Sequence, residues 1–234
     1  MIAICVFLAA TLSGATGLGF PLLAAPIFLL YYDPPQAILI TCICSLIGQS
    51  FAVVILRQTI HYEVRWHLIV SGVLGVPVGT VLLLLTGTGI LRFGFALLLI
   101  ASSLWLLIGS ASAFHRAIRF PEMLVGVSGG ICGGLFGVSS ALPAAWLSAC
   151  GYDKTRQRAI IQPYIIAMQC ISLVLLCLHH ALTAPVLQAT ALCLFPLLTG
   201  IVTGAAGFRL VSNGTYSRAV LTITLLSGVV LLVH

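Results

Sequence analysis

Acidic side chains are almost missing from this sequence. It has four Asp and Glu among 234 residues, ten Lys and Arg, and a charged fraction of only 6%. A soluble domain carries about 25% charged residues, so this shortage excludes an ordinary water-soluble fold. The eight cysteines contain no Cys-x-x-Cys spacing and have no neighbouring histidine. That excludes the usual metal patterns and a disulfide framework; in apolar runs, cysteine acts as a small hydrophobe. The N-terminal Met1-Ile2-Ala3-Ile4 lacks a basic n-region, so no cleaved signal peptide is expected. Alternating ten-residue strands are also lacking, which argues against a β-barrel.

What is present is apolar sequence: 61% of the chain is hydrophobic and the mean hydropathy is +1.22. Several runs approach 20 residues, the length that crosses a bilayer as a helix. The expected fold class is an all-α integral membrane protein embedded in the lipid bilayer. The net charge of +6 sits in short connectors between these runs. Positive-inside bias explains it, and nucleic acid is excluded as a partner because basic stripes and stacking surfaces are lacking.

The apolar segments fall at 1–32 (interrupted near 14–20), 37–56, 68–85 and 93–109. After a linker at 110–120 they recur at 121–150 (interrupted near 130–138), 159–178, 186–206 and 219–233. This divides the chain into a first repeat, 1–109, and a second, 121–234. Gly17 to Pro26 and Gly134 to Pro143 each span nine residues. Asp33-Pro-Pro-Gln has a counterpart in Asp153-Lys-Thr-Arg, and Gly75-x-Pro77-x-Gly79 in Gly200-Ile-Val-Thr-Gly204.

Charge counting orients the halves. If the first segment of each half spans the membrane, four basic residues face six across it, which decides nothing. If both interrupted segments are re-entrant, nine fall on one face and Arg92 alone on the other. The positive-inside rule expects the second pattern. It makes the two repeats inverted, each a re-entrant hairpin followed by three transmembrane helices, with both termini periplasmic.

Each interruption concentrates residues that oppose a helix interior. Glycine costs about 1 kcal/mol there and proline about 3. The first is Ser13-Gly14-Ala15-Thr16-Gly17-Leu18-Gly19-Phe20-Pro21; the second runs from Gly129 through Gly133, Gly134 and Gly137 to Ser139 and Ser140. Irregular backbone at membrane depth is tolerated only where it is buried in protein or lines a watery cavity. A hairpin tip presents the free N–H groups at the start of its second arm, and each such helix N-terminus is worth about half a positive charge in all, which favours a small anion. Pro21 suits the first turn of that arm, and Ser139 and Ser140 are N-cap types.

The following helices add polar side chains. Thr41, Ser45, Gly48 and Gln49 share one helical face, as do Gln162, Gln169 and Ser172. The expected substrate-binding set is Gly17, Gly19, Phe20, Thr41, Ser45, Gln49, Gly134, Gly137, Ser139, Ser140, Gln162 and Gln169. Close helix packing by the glycines and helix-to-helix bonding by the amides are the structural alternatives. Asp33, Glu63, Glu122, Asp153 and all six histidines are predicted in loops, leaving no mid-membrane carboxylate for proton or sodium coupling. Asp153 with the basic run Lys154, Arg156, Arg158 reads as a solvated face and topology signal, with an anion vestibule as the alternative. No catalytic residues, cofactor or metal site are expected, and the chain is not read as an enzyme.

In its Gly14-Ala-Thr-Gly-Leu-Gly-Phe-Pro and Gly130-Ile-Cys-Gly-Gly-Leu-Phe-Gly stretches, with Pro26 and Pro143 following, the sequence resembles the TauE/SafE family of sulfite exporters. Gly75-Val-Pro-Val-Gly and Gly200-Ile-Val-Thr-Gly resemble the family's third-helix pattern. The family's glycine runs extend further; here Phe20-Pro21 and Val138-Ser139-Ser140 stand in their place. The resemblance implies export of sulfite, a sulfonate or a related small sulfur anion across a bacterial inner membrane. An anion channel of the same architecture and a non-transporting assembly subunit are the alternatives, and a homo-oligomer is compatible with each.

Overall fold

The computed structural model describes residues 2–18, 20–56, 60–108, 121–207, 225, 228 and 229. Among them there is no strand. The helices are α1 (Ile2–Thr16), α2 (Phe20–Tyr31), α3 (Pro34–Leu56), α4 (Trp66–Leu85), α5 (Thr88–Ile108), α6 (Glu122–Phe136), α7 (Ala141–Ala149), α8 (Lys154–Leu178) and α9 (Ala184–Gly207). The chain is an all-α integral membrane protein, and α3, α4, α8 and α9 are each long and apolar enough to cross a bilayer. The linker at 110–120 and nearly all of the expected helix at 219–233 lie outside the described residues.

Several helices begin earlier than expected. Pro34 and Pro35 sit in the first turn of α3, where no amide donor is needed. Asp153 is the N-cap of α8, its side chain accepting from Arg156 N at 3.1 Å. That cap brings Lys154, Arg156 and Arg158 into the helix. His67, expected in a loop, is the second residue of α4.

Both interrupted segments are broken helices. α1 stops at Gly17 (φ 78°) and α6 at Gly137 (φ 73°), each a left-handed cap that a residue without Cβ adopts freely. Gly17 N bonds Ser13 O at 2.6 Å, and Gly137 N bonds Gly133 O at 2.9 Å. The structural counterpart of Gly17 is therefore Gly137, not Gly134, which corresponds to Gly14. The same register pairs Ile2 with Glu122 at the helix starts, Asp33 with Asp153 and Gln49 with Gln169.

α7 doubles back along α6. A Cβ on Gly129, two turns before the break, would stand 2.9 Å from Pro143 Cγ in α7. The stack of Phe95 on Phe136 (centroids 4.9 Å apart) fixes the end of α6 just before Gly137.

The glycines of the two halves interlock reciprocally. Gly72, Gly75 and Gly79 of α4 lie against Gly130, Ile131 and Leu135 of α6, in parallel order. Gly200 and Gly204 of α9 lie against Thr11 and Ala15 of α1, again in parallel order. Small residues let these backbones touch, the packing device available where lipid offers no hydrophobic gain. Between the pairs, α3 and α8 run antiparallel, with Ser45 opposite Gln169 and Gln49 opposite Gln162.

Candidate functional site

The polar residues of α3 and α8 meet along their shared interface. Gln49 Nε2 donates to Gly17 O at 2.9 Å and to Ser13 Oγ at 3.3 Å. Its Oε1 accepts from Gln162 Nε2 at 2.9 Å. Gln162 Oε1 accepts from Arg158 Nε at 3.4 Å, and Arg158 Nη1 donates to Gly14 O at 2.9 Å. Further along, Gln169 Nε2 donates to Ser45 Oγ at 2.5 Å. Ser13, Ser45, Gln49, Arg158, Gln162 and Gln169 are all buried. Counterparts Gln49 and Gln169 do not bond each other; each pairs across the interface with a different residue.

The breaks sit beside this column. Gly17 packs against the Arg158 side chain of α8, and Gly137 against Ile38, Thr41 and Cys42 of α3. Counted from Pro34 at 1.5 Å per residue, Thr41 lies about 10 Å into α3, Ser45 about 16 Å and Gln49 about 22 Å, in a helix about 35 Å long. The second break thus lies at the level of Thr41 and the first at Gln49, either side of the helix centre. At the first level Gln49, Gln162 and Arg158 form one hydrogen-bonded network with Gly14 O and Gly17 O, and Gln169 with Ser45 forms a separate pair between the levels.

The expected site residues divide accordingly. Gly17, Thr41, Ser45, Gln49, Gly137, Gln162 and Gln169 come together on the column. Thr41 Oγ1 donates to Ala37 O at 2.8 Å, leaving its methyl against Gly137. Phe20 is buried as the first residue of α2, and Gly19 lies outside the described residues. Gly134 belongs to the α4 interface, where a Cβ would stand 2.7 Å from Thr80 N. Ser140 is the N-cap of α7 but makes no side-chain cap bond. Ser139 is buried, and its Oγ has no hydrogen-bond partner. Gln169 Oε1 and the Tyr62 hydroxyl are likewise buried and unsatisfied, and such atoms need a ligand or water.

Arg158 was missing from the expected set. Read as solvated, it is instead 2% exposed and the only buried charged residue among those described. The helical spacing of Arg158, Gln162, Ile165 and Gln169 places it on the polar face of α8, a signal hidden by starting that helix at 159. Tyr62 lies nearby, packed with Leu56, Ile60, Ala159 and Ala205. Burial pushes its hydroxyl pKa up, while the Arg158 charge draws it down.

Over this end the 60–65 segment is pinned to the second half. Glu63 N bonds Ala159 O at 3.1 Å, and Arg65 Nη2 donates to the Tyr152 hydroxyl at 2.8 Å. Glu63 pairs with Arg65 and Arg156 at 3.3 Å, and Arg65 with Glu122 at 3.6 Å. Both arginines stack on the Tyr152 ring. Arg92 stands apart from this cluster, its Nη2 donating to Leu29 O at the far end of α2. Among the described residues, no three His, Cys, Asp or Glu side chains gather as a metal site would require.

With four helices long and apolar enough to cross a bilayer and two broken helices beside them among the described residues, the chain is a multi-pass membrane protein. The family model for the sulfite exporter TauE/SafE matches residues 2–231. The chain belongs to the TauE/SafE sulfite exporter family, whose members are membrane transporters of sulfite and related sulfur anions rather than enzymes. No curated protein and no solved structure matches it.

Proposed function

We propose that this chain exports a small sulfur oxyanion, sulfite or an organosulfonate, across the bacterial inner membrane by alternating access between two inverted halves. The observation that carries the reading is the set of buried polar side chains on α3 and α8 (Ser45, Gln49, Arg158, Gln162 and Gln169), which lie between and beside the two glycine breaks inside an otherwise apolar protein. Amide and hydroxyl donors can strip water from an oxyanion and replace its hydrogen bonds. In this reading Gly17 at the first break and Gly137 at the second mark the two levels of the path.

Helix directions support the inversion. α8 opposes α3, and α9 returns from α8 after a short turn, so α9 runs with α3. α1 is parallel to α9 and therefore also runs with α3, which requires α2 to turn back between them. The same steps apply to α6, α7 and α8. The charged loops agree: Arg65 and Arg156 share Tyr152 at one face, whereas eight full spans would put their loops on opposite faces. Arg92 lies with the end of α2, at the face that the positive-inside count leaves nearly uncharged. This supports periplasmic termini.

No carboxylate is buried among the described residues, so the reading uses no ion-coupling acid. Outward movement of one negative charge releases about 2.3 kcal/mol per 100 mV, interior negative. Purified protein in sulfite-loaded liposomes tests this. Sulfite should leave faster than from protein-free vesicles, and faster again under an inside-negative potential. No acceleration by the potential overturns the electrogenic mechanism, and no protein-dependent flux overturns export itself. Turnover at channel rates would favour a pore of the same architecture.

A further inference from the structure

The closest helix contacts do not follow the order of the chain. α4 lies in the first repeat, yet its glycines face α6 of the second; α9 lies in the second, yet its glycines face α1 of the first. We infer that the bodies that move in transport are not the sequence repeats but two exchanged bundles, with α1, α2, α3 and α9 in one and α4, α6, α7 and α8 in the other. The exchange keeps the inversion, since each bundle takes the third long helix of the opposite repeat. This deepens the transport reading and rests on it.

Within each bundle, backbone meets backbone. A Cβ on Gly75, Gly79, Gly130 or Gly134 would run into a carbonyl of the facing helix, and so would one on Gly14, Gly200 or Gly204. Helices seated this closely cannot slide past one another without such a collision, so each seam moves as a unit. Tyr164 ties α8 into its bundle: its ring lies against Gly72 of α4, and its hydroxyl donates to Gly126 O of α6 at 2.8 Å. Gly48 packs α3 on Leu197 and Ile201 of α9, and Gln49 donates to Gly17 O at 2.9 Å.

The contacts between the bundles run through side chains instead. Gln49 bonds Gln162, Gln169 bonds Ser45, and Gly137 meets the side chains of Ile38, Thr41 and Cys42. Rotamer changes can part these contacts, and water or an oxyanion can replace their hydrogen bonds. α5 touches both bundles, with Arg92 on Leu29 O of α2 and Phe95 stacked on Phe136 of α6. The chain passes from bundle to bundle between α3 and α4 at the basic face, and between α8 and α9 at the other. Motion bends these connectors and leaves the glycine seams closed. On the first connector, Glu63 is tied to Arg156 and to Ala159 O of α8, so its release frees that connector.

Two measurements on the full chain test this. In the Thr11→Cys, Thr203→Cys double variant, a disulfide would join the two repeats yet lie inside one bundle; the native hydroxyls are 3.3 Å apart. Oxidised in liposomes by copper phenanthroline, beside wild type treated alike, it should keep sulfite flux within about twofold of its reduced value. Flux lost on bridging and restored by reductant overturns the inference. Where the bridge does not form, spin labels decide, placed in pairs on cysteines at exposed Trp66, Met123 and Val202 with the native cysteines replaced. Met123 and Val202 share a repeat but not a bundle, so their distance should shift by about 3 Å or more on adding sulfite. Trp66 and Met123 share a bundle but not a repeat, so theirs should stay fixed. A shift between Trp66 and Met123, or none between Met123 and Val202, overturns the inference and leaves wild-type flux standing. Folded wild type that moves no sulfur anion overturns the transport reading and this inference together.

Discussion

At the residue scale, the glycines divide by what each one's missing Cβ permits. Gly137 caps α6 at φ 73° with only ordinary side-chain contacts around it. Gly137→Ala should therefore cost about 1–2 kcal/mol, the strain of a left-handed residue, and lower the melting temperature in detergent modestly. Gly134→Ala should cost more, because its Cβ would meet the α4 backbone, which a rotamer change cannot relieve. A smaller loss for Gly134→Ala than for Gly137→Ala would contradict this division. Gln49 is different again. Gln49→Leu removes the acceptor of Gln162 and the donor to Gly17 O, leaving both buried groups unpaired. It should slow sulfite flux at least about tenfold and lower stability by about 1–3 kcal/mol. Flux equal to wild type in a folded Gln49→Leu protein would exclude that column as the path.

Legibility at this scale followed chemistry. Gln49, Gln162 and Gln169 were readable as the polar faces of two helices, but spacing alone did not say that Gln49 would pair with Gln162 and Gln169 with Ser45, the helix-to-helix bonding that stood as the alternative. Gly134 and Gly137 were not separable, since a packing glycine and a capping glycine look identical until the backbone is seen. Arg158 was misread because one helix cap, Asp153, decides whether it lies in a loop or inside α8.

At the scale of elements, the breaks and the long helices were legible from glycine clusters and apolar length. The reciprocal pairing of α1 with α9 and α4 with α6 was not, since sequence spacing does not say which helix a glycine face meets. The 60–65 segment gives a prediction of its own. Glu63 is 41% exposed, so its two ion pairs contribute less than about 1 kcal/mol. Glu63→Gln should leave the melting temperature within about 3 °C of wild type, yet change the flux rate, because the contacts it breaks span the two halves. A large melting shift with unchanged flux would assign this segment to stability instead.

At the scale of the whole molecule, the account rests on two broken helices entering from opposite faces, so that the column links one aqueous side to the other. Charge counting pointed to that arrangement, although Arg57, Arg116, Arg119, Arg209 and Arg218 lie outside the described residues. Helix directions and the shared loop cluster support the same reading. The most direct measurement is the accessibility of single cysteines placed at Asp33, Asp153 and His179, labelled in intact cells by a membrane-impermeant maleimide. Asp33 and His179 should label from outside, and Asp153 only after the membrane is opened. Equal labelling of Asp33 and Asp153, with His179 opposite, would mean eight full spans and would contradict the account.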